Sequence, residues 1–159
     1  MDTVEKLRDI LGSSHVIAMV GLSDKSHRPS YFAAKYLIEH GFEVIPVNPR
    51  VSEILGQKAY ADLEDIPVPV DIVDCFRRSE DTPAIARKAV TIGAKALWMQ
   101  LTVINDEARA IAEAAGLQVV MDRCTKIEHA RIFGGLNYAG VNTRIISACL
   151  LYTSPSPRD

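Results

Sequence analysis

Long apolar runs are missing from this sequence. None approaches the roughly 20 residues that a membrane-spanning helix requires, and residues 1–12 are a charged amphipathic segment rather than a signal peptide. Cysteine is scarce: Cys75, Cys124 and Cys149 are too few and too scattered for a disulfide framework. An excess of either charge is also missing. Eighteen Lys and Arg stand against 20 Asp and Glu, a formal charge of −2, which speaks against a nucleic-acid surface. Metal-ligand spacing is lacking too. Cys124, Glu128 and His129 offer too few ligands on one segment, and no Cys/His pair has finger-like spacing, so no metal is expected. His15, His27, His40 and His129 form no Ser-His-Asp or Cys-His arrangement traceable in the sequence.

What remains is the profile of a cytoplasmic globule. At 159 residues and 48% hydrophobic composition the chain is long enough to bury a core as one domain, expected over residues 1–150. Leu151–Asp159 (LYTSPSPRD) has no periodicity and is expected to be a disordered, non-native tail.

Along the chain, short apolar runs alternate with amphipathic stretches of 10–13 residues. Helices are predicted over residues 2–12, from an N-cap at Ser30 to a stop at Gly41, over residues 80–92, from Asn105 to Gly116, and over 124–132. Strands are predicted at 16–20, 43–47, 70–76, 94–99 and 117–121. Residues 50–69 read as a polar connection with a turn at Leu55-Gly56 and one helical turn near 61–65. Continuously apolar strands separated by helices indicate an α/β fold with a doubly wound, five-stranded parallel sheet. The simplest strand order is 3-2-1-4-5.

The first βαβ unit, Val16 to Pro49, carries the functional signal. Its first turn presents backbone N–H groups and a helix N-terminus, a combination suited to phosphate. Yet the loop GLSDKSHRPS keeps only the first glycine, Gly21, of the dinucleotide pattern G-x-G-x-x-G. The second strand ends in Asn48, between Pro46 and Pro49, where an NAD site wants an acid for the ribose 2′-OH. Asn48, Arg50, Lys25 and Arg28 would tolerate a phosphorylated ribose that an acid would repel. A 3′-phosphorylated adenosine fits this pattern better than NAD does.

These segments, with Asp71–Arg77 (DIVDCFR), Gly93–Lys95, Trp98-Met99-Gln100 and Val120–Cys124 (VMDRC), resemble the stand-alone CoA-binding proteins. Those are small relatives of the CoA-binding domain of the succinyl-CoA synthetase alpha subunit. The resemblance runs from about residue 14 to 147. It implies a Rossmann-like domain whose small-molecule nucleotide ligand is coenzyme A or an acyl-CoA. It further implies that Gly21, Leu22 and Ser23 pass close to the pantetheine and diphosphate, that Lys25, Arg28 and Ser30 face phosphates, that Val47, Asn48 and Pro49 border the adenosine, and that Phe76 and Arg77 flank the pantetheine arm. The synthetase's second domain, with its phosphorylated histidine, has no counterpart here, so ligase chemistry is not implied.

Two further residues have candidate roles. Gln100 ends the fourth strand, on the side where an open sheet receives ligands, and could hydrogen-bond a pantetheine amide. Cys124 follows the fifth strand, beside Arg123 and ahead of a predicted helix, both of which could lower its thiol pKa. With no convincing acid–base constellation, a binding module is expected ahead of an enzyme. The alternatives are thiol-disulfide or acyl-transfer chemistry through Cys124, and an NAD(P)-binding redox protein sharing only the fold.

Overall fold

The computed structural model describes residues 3–133. The expected tail at 151–159 and Cys149 lie outside the described residues. Helix α1 (Val4–Ser13) leads into strand β1 (Val16–Val20), then α2 (Pro29–Glu39) and β2 (Glu43–Val47). A small hairpin, β3 (Glu53–Ile54) and β4 (Gln57–Lys58), and a 3₁₀ turn at Leu63–Asp65 follow. The chain continues through β5 (Ile72–Cys75), a second 3₁₀ turn (Ser79–Asp81), α3 (Thr82–Thr91), β6 (Ala96–Met99), α4 (Asp106–Ala114), β7 (Gln118–Val120) and α5 (Thr125–Phe133).

Local chemistry accounts for these boundaries. Thr3 Oγ1 accepts the Lys6 N–H at 3.1 Å to cap α1, and Asn105 Oδ1 accepts the Ala108 N–H at 2.9 Å to cap α4. In the hairpin, Leu55 and Gly56 both have positive φ (54° and 76°), the type I′ geometry that matches the twist of the flanking strands. The expected cap at Ser30 is corrected. Arg28 occupies the N-cap, and Pro29, pre-set for helical φ, starts α2 one residue before Ser30.

Five parallel strands form the main sheet, with helices on both faces, as the alternating pattern predicted. On one face Leu7 and Ile10 of α1 and Ala33 and Leu37 of α2 pack on Ile17, Met19, Ile72 and Trp98. On the other, Ala86 and Ala89 of α3 and Ala108 and Ala112 of α4 pack on Ala18, Val73 and Leu97. Each fully buried Leu or Ile contributes about 1.5–3 kcal/mol relative to exposure.

The strand order differs from the expected 3-2-1-4-5. The sheet runs β2-β1-β5-β6-β7, so the third long strand pairs with β1 rather than extending beyond β2. The reason lies in residues 50–69. The place beside β2 is held by a single parallel bridge between Val47 and Tyr60, in which Tyr60 N–H donates to the Pro46 carbonyl at 2.9 Å and Asn48 N–H to the Tyr60 carbonyl at 2.8 Å. The connection therefore contains a rudimentary edge strand, and the next long strand passes to the far side of β1. Asp71 fixes that register: its Oδ2 accepts the N–H groups of His15 and Val16 at 2.8 and 2.9 Å. The connections leaving β1 and β5 diverge to opposite faces, and such a switch point opens a crevice at the carboxyl ends of the strands.

Candidate functional site

The crevice is built around Gly21. Its φ of +87° is left-handed, and a Cβ there would lie 2.4 Å from the Phe76 carbonyl oxygen and 2.8 Å from Arg77 Cδ. Only glycine fits where the turn after β1 passes this close to the end of β5. The Gly21 N–H donates to the Val47 carbonyl at 3.1 Å, so the ends of β1, β2 and β5 are drawn together.

Leu22 is buried, with its side chain in the core. The Leu22 carbonyl accepts the Asn48 side-chain N–H at 3.0 Å, while Asn48 Oδ1 accepts the Arg50 N–H at 2.9 Å. Asn48 thus clamps the turn after β1 to the turn after β2. Ser30 is fully buried, and its Oγ accepts the Ser23 N–H at 3.0 Å, closing the loop back onto α2. Ser23 Oγ in turn accepts the Lys25 N–H at 3.1 Å. Lys25 is exposed and Arg28 half-buried on the outer part of this loop.

Beside the turn is a cavity of about 430 Å³ between the ends of β1 and β2 and the start of α3. Val20, Val47 and Pro49 border it on the sheet side, with Arg77, Asp81 and Ile85 opposite. Arg77 Nε lies 3.7 Å from Asp81 Oδ2, and Lys88 pairs with Asp62 at the far rim. Of the expected site residues, Val47, Pro49 and Arg77 meet at this cavity, with Gly21 against Arg77. Phe76 packs into the core beside Leu22. Lys25 and Arg28 are on the loop and Ser30 is in the first turn of α2, none of them on the cavity wall.

Gln100 sits elsewhere, at the end of β6 and almost fully buried. Its amide N–H groups donate to Asp74 Oδ1 at 2.5 Å and Thr125 Oγ1 at 3.1 Å, and Thr125 Oγ1 donates to Asp74 Oδ2 at 3.1 Å. The side chain that could meet a pantetheine amide therefore spends its N–H groups inside the protein. This triad joins β5, β6 and the first residue of α5. Burial pushes the Asp74 carboxyl up to about 7, against the hydrogen bonds from Gln100 and Thr125 that pull it down. Neither Asp74 nor Thr125 was singled out from the sequence. The available signal was an acid inside the apolar run VDIVDCF, since a charge on a buried strand needs partners.

The lowered pKa that Arg123 and the start of α5 could have given Cys124 is overridden by burial. Its thiol is buried, and desolvation raises its pKa to about 11, outweighing the N–H groups of Ile127 and Lys126 that favour the thiolate. Arg123 faces Glu128 instead, at 3.9 Å, and its carbonyl accepts the Trp98 indole N–H at 2.8 Å. Cys75 is buried in β5, with its pKa raised by desolvation and by Asp74. Glu128 also pairs with Arg131 at 3.3 Å, and His129 Nδ1 is hydrogen-bonded to the Tyr36 hydroxyl at 2.9 Å. Among the described residues no cluster of three or more His, Cys, Asp or Glu is placed to hold a metal ion. No helix among them is long and apolar enough to cross a membrane.

Residues 15–130 match the family model described as CoA binding domain. The chain belongs to the CoA binding domain family. Within reach of that family lies the uncharacterized protein YneT of Bacillus subtilis (strain 168), 42% identical over 125 residues that cover 79% of this chain and 93% of YneT. The solved structure of a hypothetical protein from Pyrococcus horikoshii OT3 is 41% identical, with a TM-score of 0.81 over 84% of this chain and 94% of that one. A protein from Thermus thermophilus is 34% identical, with a TM-score of 0.79 over 83% of this chain and all of that one. The CoA binding domain match spans every element that builds the crevice, from β1 through the first part of α5.

Proposed function

We propose that this protein binds coenzyme A or an acyl-CoA as a small stand-alone module, at the carboxyl edge of its sheet between β1 and β5. The observation that carries the reading is the Gly21 turn clamped by Asn48. It combines a single-glycine phosphate turn with a neutral amide at the end of β2, inside a CoA binding domain match. In this reading the Gly21–Ser23 turn passes close to the pantetheine and diphosphate, Lys25 and Arg28 serve phosphate oxygens, and buried Ser30 holds the loop in place through the Ser23 N–H. Val47, Asn48 and Pro49 border the adenosine, and the pantetheine arm runs past Phe76 and Arg77.

Binding without turnover is favoured over the thiol alternative, because the one candidate nucleophile, Cys124, is buried and protonated at neutral pH. It is favoured over NAD, because Asn48 supplies no carboxylate for a ribose 2′-OH and the turn lacks the second glycine of the dinucleotide pattern.

Calorimetric titration with CoA, dephospho-CoA and NADH tests the reading. CoA is expected to bind well ahead of NADH, and ahead of dephospho-CoA where the 3′-phosphate is read. NADH binding as tightly as CoA would overturn it. Equal affinity for CoA and dephospho-CoA would remove the 3′-phosphate from the account while leaving the ligand class intact.

A further inference from the structure

Arg77 is held in an arrangement that the proposed ligand has to disturb. Its aliphatic stem lies directly on the Gly21 α-carbon, so close that a Cβ there would meet Arg77 Cδ at 2.8 Å. From that point the guanidinium turns back to Asp81, with Nε 3.7 Å from Oδ2. The side chain therefore crosses from the phosphate turn to the cavity wall, with its charge tied down at the far end.

Asp81 closes the 3₁₀ turn that runs straight into α3, with helical φ and ψ of −85° and −13°. From that backbone conformation its side chain makes no cap hydrogen bond. Its carboxylate is turned to the guanidinium groups of Arg77 and Arg78, at 3.7 and 3.6 Å. Not engaged by the helix, this carboxylate places a negative charge between the two arginines. Both arginine side chains are at least half exposed, so the pairing is weak and easily exchanged. A phosphate ester offers the same guanidinium a stronger, bidentate partner.

On the strength of the CoA reading, we propose that Asp81 is a specificity-determining counter-charge. In the free protein it holds Arg77, and a ligand diphosphate at the Gly21 turn takes the guanidinium from it. Asp81 sets the affinity for diphosphate-bearing nucleotides by competing with them for one arginine. A ligand without the diphosphate gains nothing from the exchange.

A double-mutant cycle on the intact protein, read by calorimetric titration with CoA, tests the exchange. Arg77→Ala is expected to weaken CoA about 10- to 150-fold, the loss of a charge-assisted bond to phosphate. Asp81→Asn should strengthen CoA about two- to fivefold, in keeping with an exposed ion pair. In the Arg77→Ala background Asp81→Asn should give no gain. Asp81→Glu, which keeps the charge, should bind like the parent. Adenosine 3′-monophosphate, which has no phosphate at the 5′ position, should bind the parent and Asp81→Asn equally. Thermal unfolding of each variant identifies any that fails to fold, and Asp81→Glu serves as the folded control.

Unchanged or weaker CoA binding in folded Asp81→Asn overturns the proposal, as does an equal gain with and without Arg77. Both outcomes leave the CoA reading standing. Failure of the parent itself to bind CoA is a different result, and it removes that reading instead.

Discussion

Gly21 and Phe76 share a space too small for one additional carbon. The Cβ of any residue at position 21 would fall 2.4 Å from the Phe76 carbonyl oxygen, in a backbone conformation with φ of +87°. Gly21→Ala must therefore separate β1 from β5 at the crevice and also strain the turn. Each of these costs on the order of 1–3 kcal/mol. The variant is expected to show a clearly lowered thermal midpoint and no measurable CoA binding. A midpoint within a degree of the parent would mean that the two strands part without cost at this point.

Asn48 is expected to resist conversion into a dinucleotide determinant. Asn48→Asp places a carboxylate against the Leu22 carbonyl, which now accepts the asparagine N–H at 3.0 Å. The clamp between the first two loops is then replaced by repulsion. CoA affinity should fall at least tenfold, and NADH affinity should not rise to a comparable level. Titration with both ligands decides it. Strong NADH binding by the aspartate variant would show that the residue selects ligands by charge alone, with no part in holding the loop.

The buried Asp74 carboxyl gives the protein a recognisable pH signature. Its folded pKa, raised to about 7 by burial, stands above the ordinary carboxylate value. The folded state therefore holds a proton that the unfolded chain releases. This contribution to stability is full below about pH 4 and is lost as pH rises through 7. Asp71 runs the other way. Burial pushes its carboxyl up, but the N–H groups of Val16 and His15, with Lys95, hold it below the usual value. Its contribution is present at neutral pH and is lost in acid. Subtracting an Asp74→Asn variant from the parent isolates the first effect. From pH 8 to 5 the parent should gain about 1.4 kcal/mol over the variant for each pH unit below 7, measured by urea unfolding. A difference that is flat with pH would mean that Asp74 stays ionised throughout.

The thiols are expected to be slow. With Cys124 raised to about 11 and buried, and Cys75 fully buried, a disulfide reagent at pH 7.5 should modify both far more slowly in the folded protein than in urea. Peptide mapping after exposure to CoA disulfide should find no adduct at Cys124. Rapid, reductant-reversible addition of one CoA at that residue would restore the case for thiol chemistry.

The sequence made the layers of this fold readable because its signals there are local. Continuous apolar runs such as VIAMV announce strands buried on both faces, and Asn105 announces the cap that it makes. Strand order is not local. Nothing in Ala59-Tyr60 distinguishes a one-residue bridge from loop, yet that bridge decides which side of β1 the next strand joins. The crevice divides in the same way. Gly21 and Asn48 stood out because residue type and position alone make them unusual. The interior role of Gln100 was hidden, since its partners Asp74 and Thr125 lie 26 and 25 residues away and meet it only across the sheet. Arg123 looked like an activator of Cys124 by adjacency, but Glu128, one turn along α5, takes its guanidinium.

Trp98 gives these relationships an optical consequence. It is the single tryptophan in the chain, wholly enclosed, with its indole N–H on the carbonyl of Arg123 in the loop after β7. Its ring lies on β6 between that loop and the strand bearing Asp74, its register partner. Excited at the long-wavelength edge of its band, where the five tyrosines absorb almost nothing, the chain therefore emits from one fluorophore at the seam between the sheet and the start of α5. Any rearrangement there registers as a change in colour or intensity from the unlabelled protein.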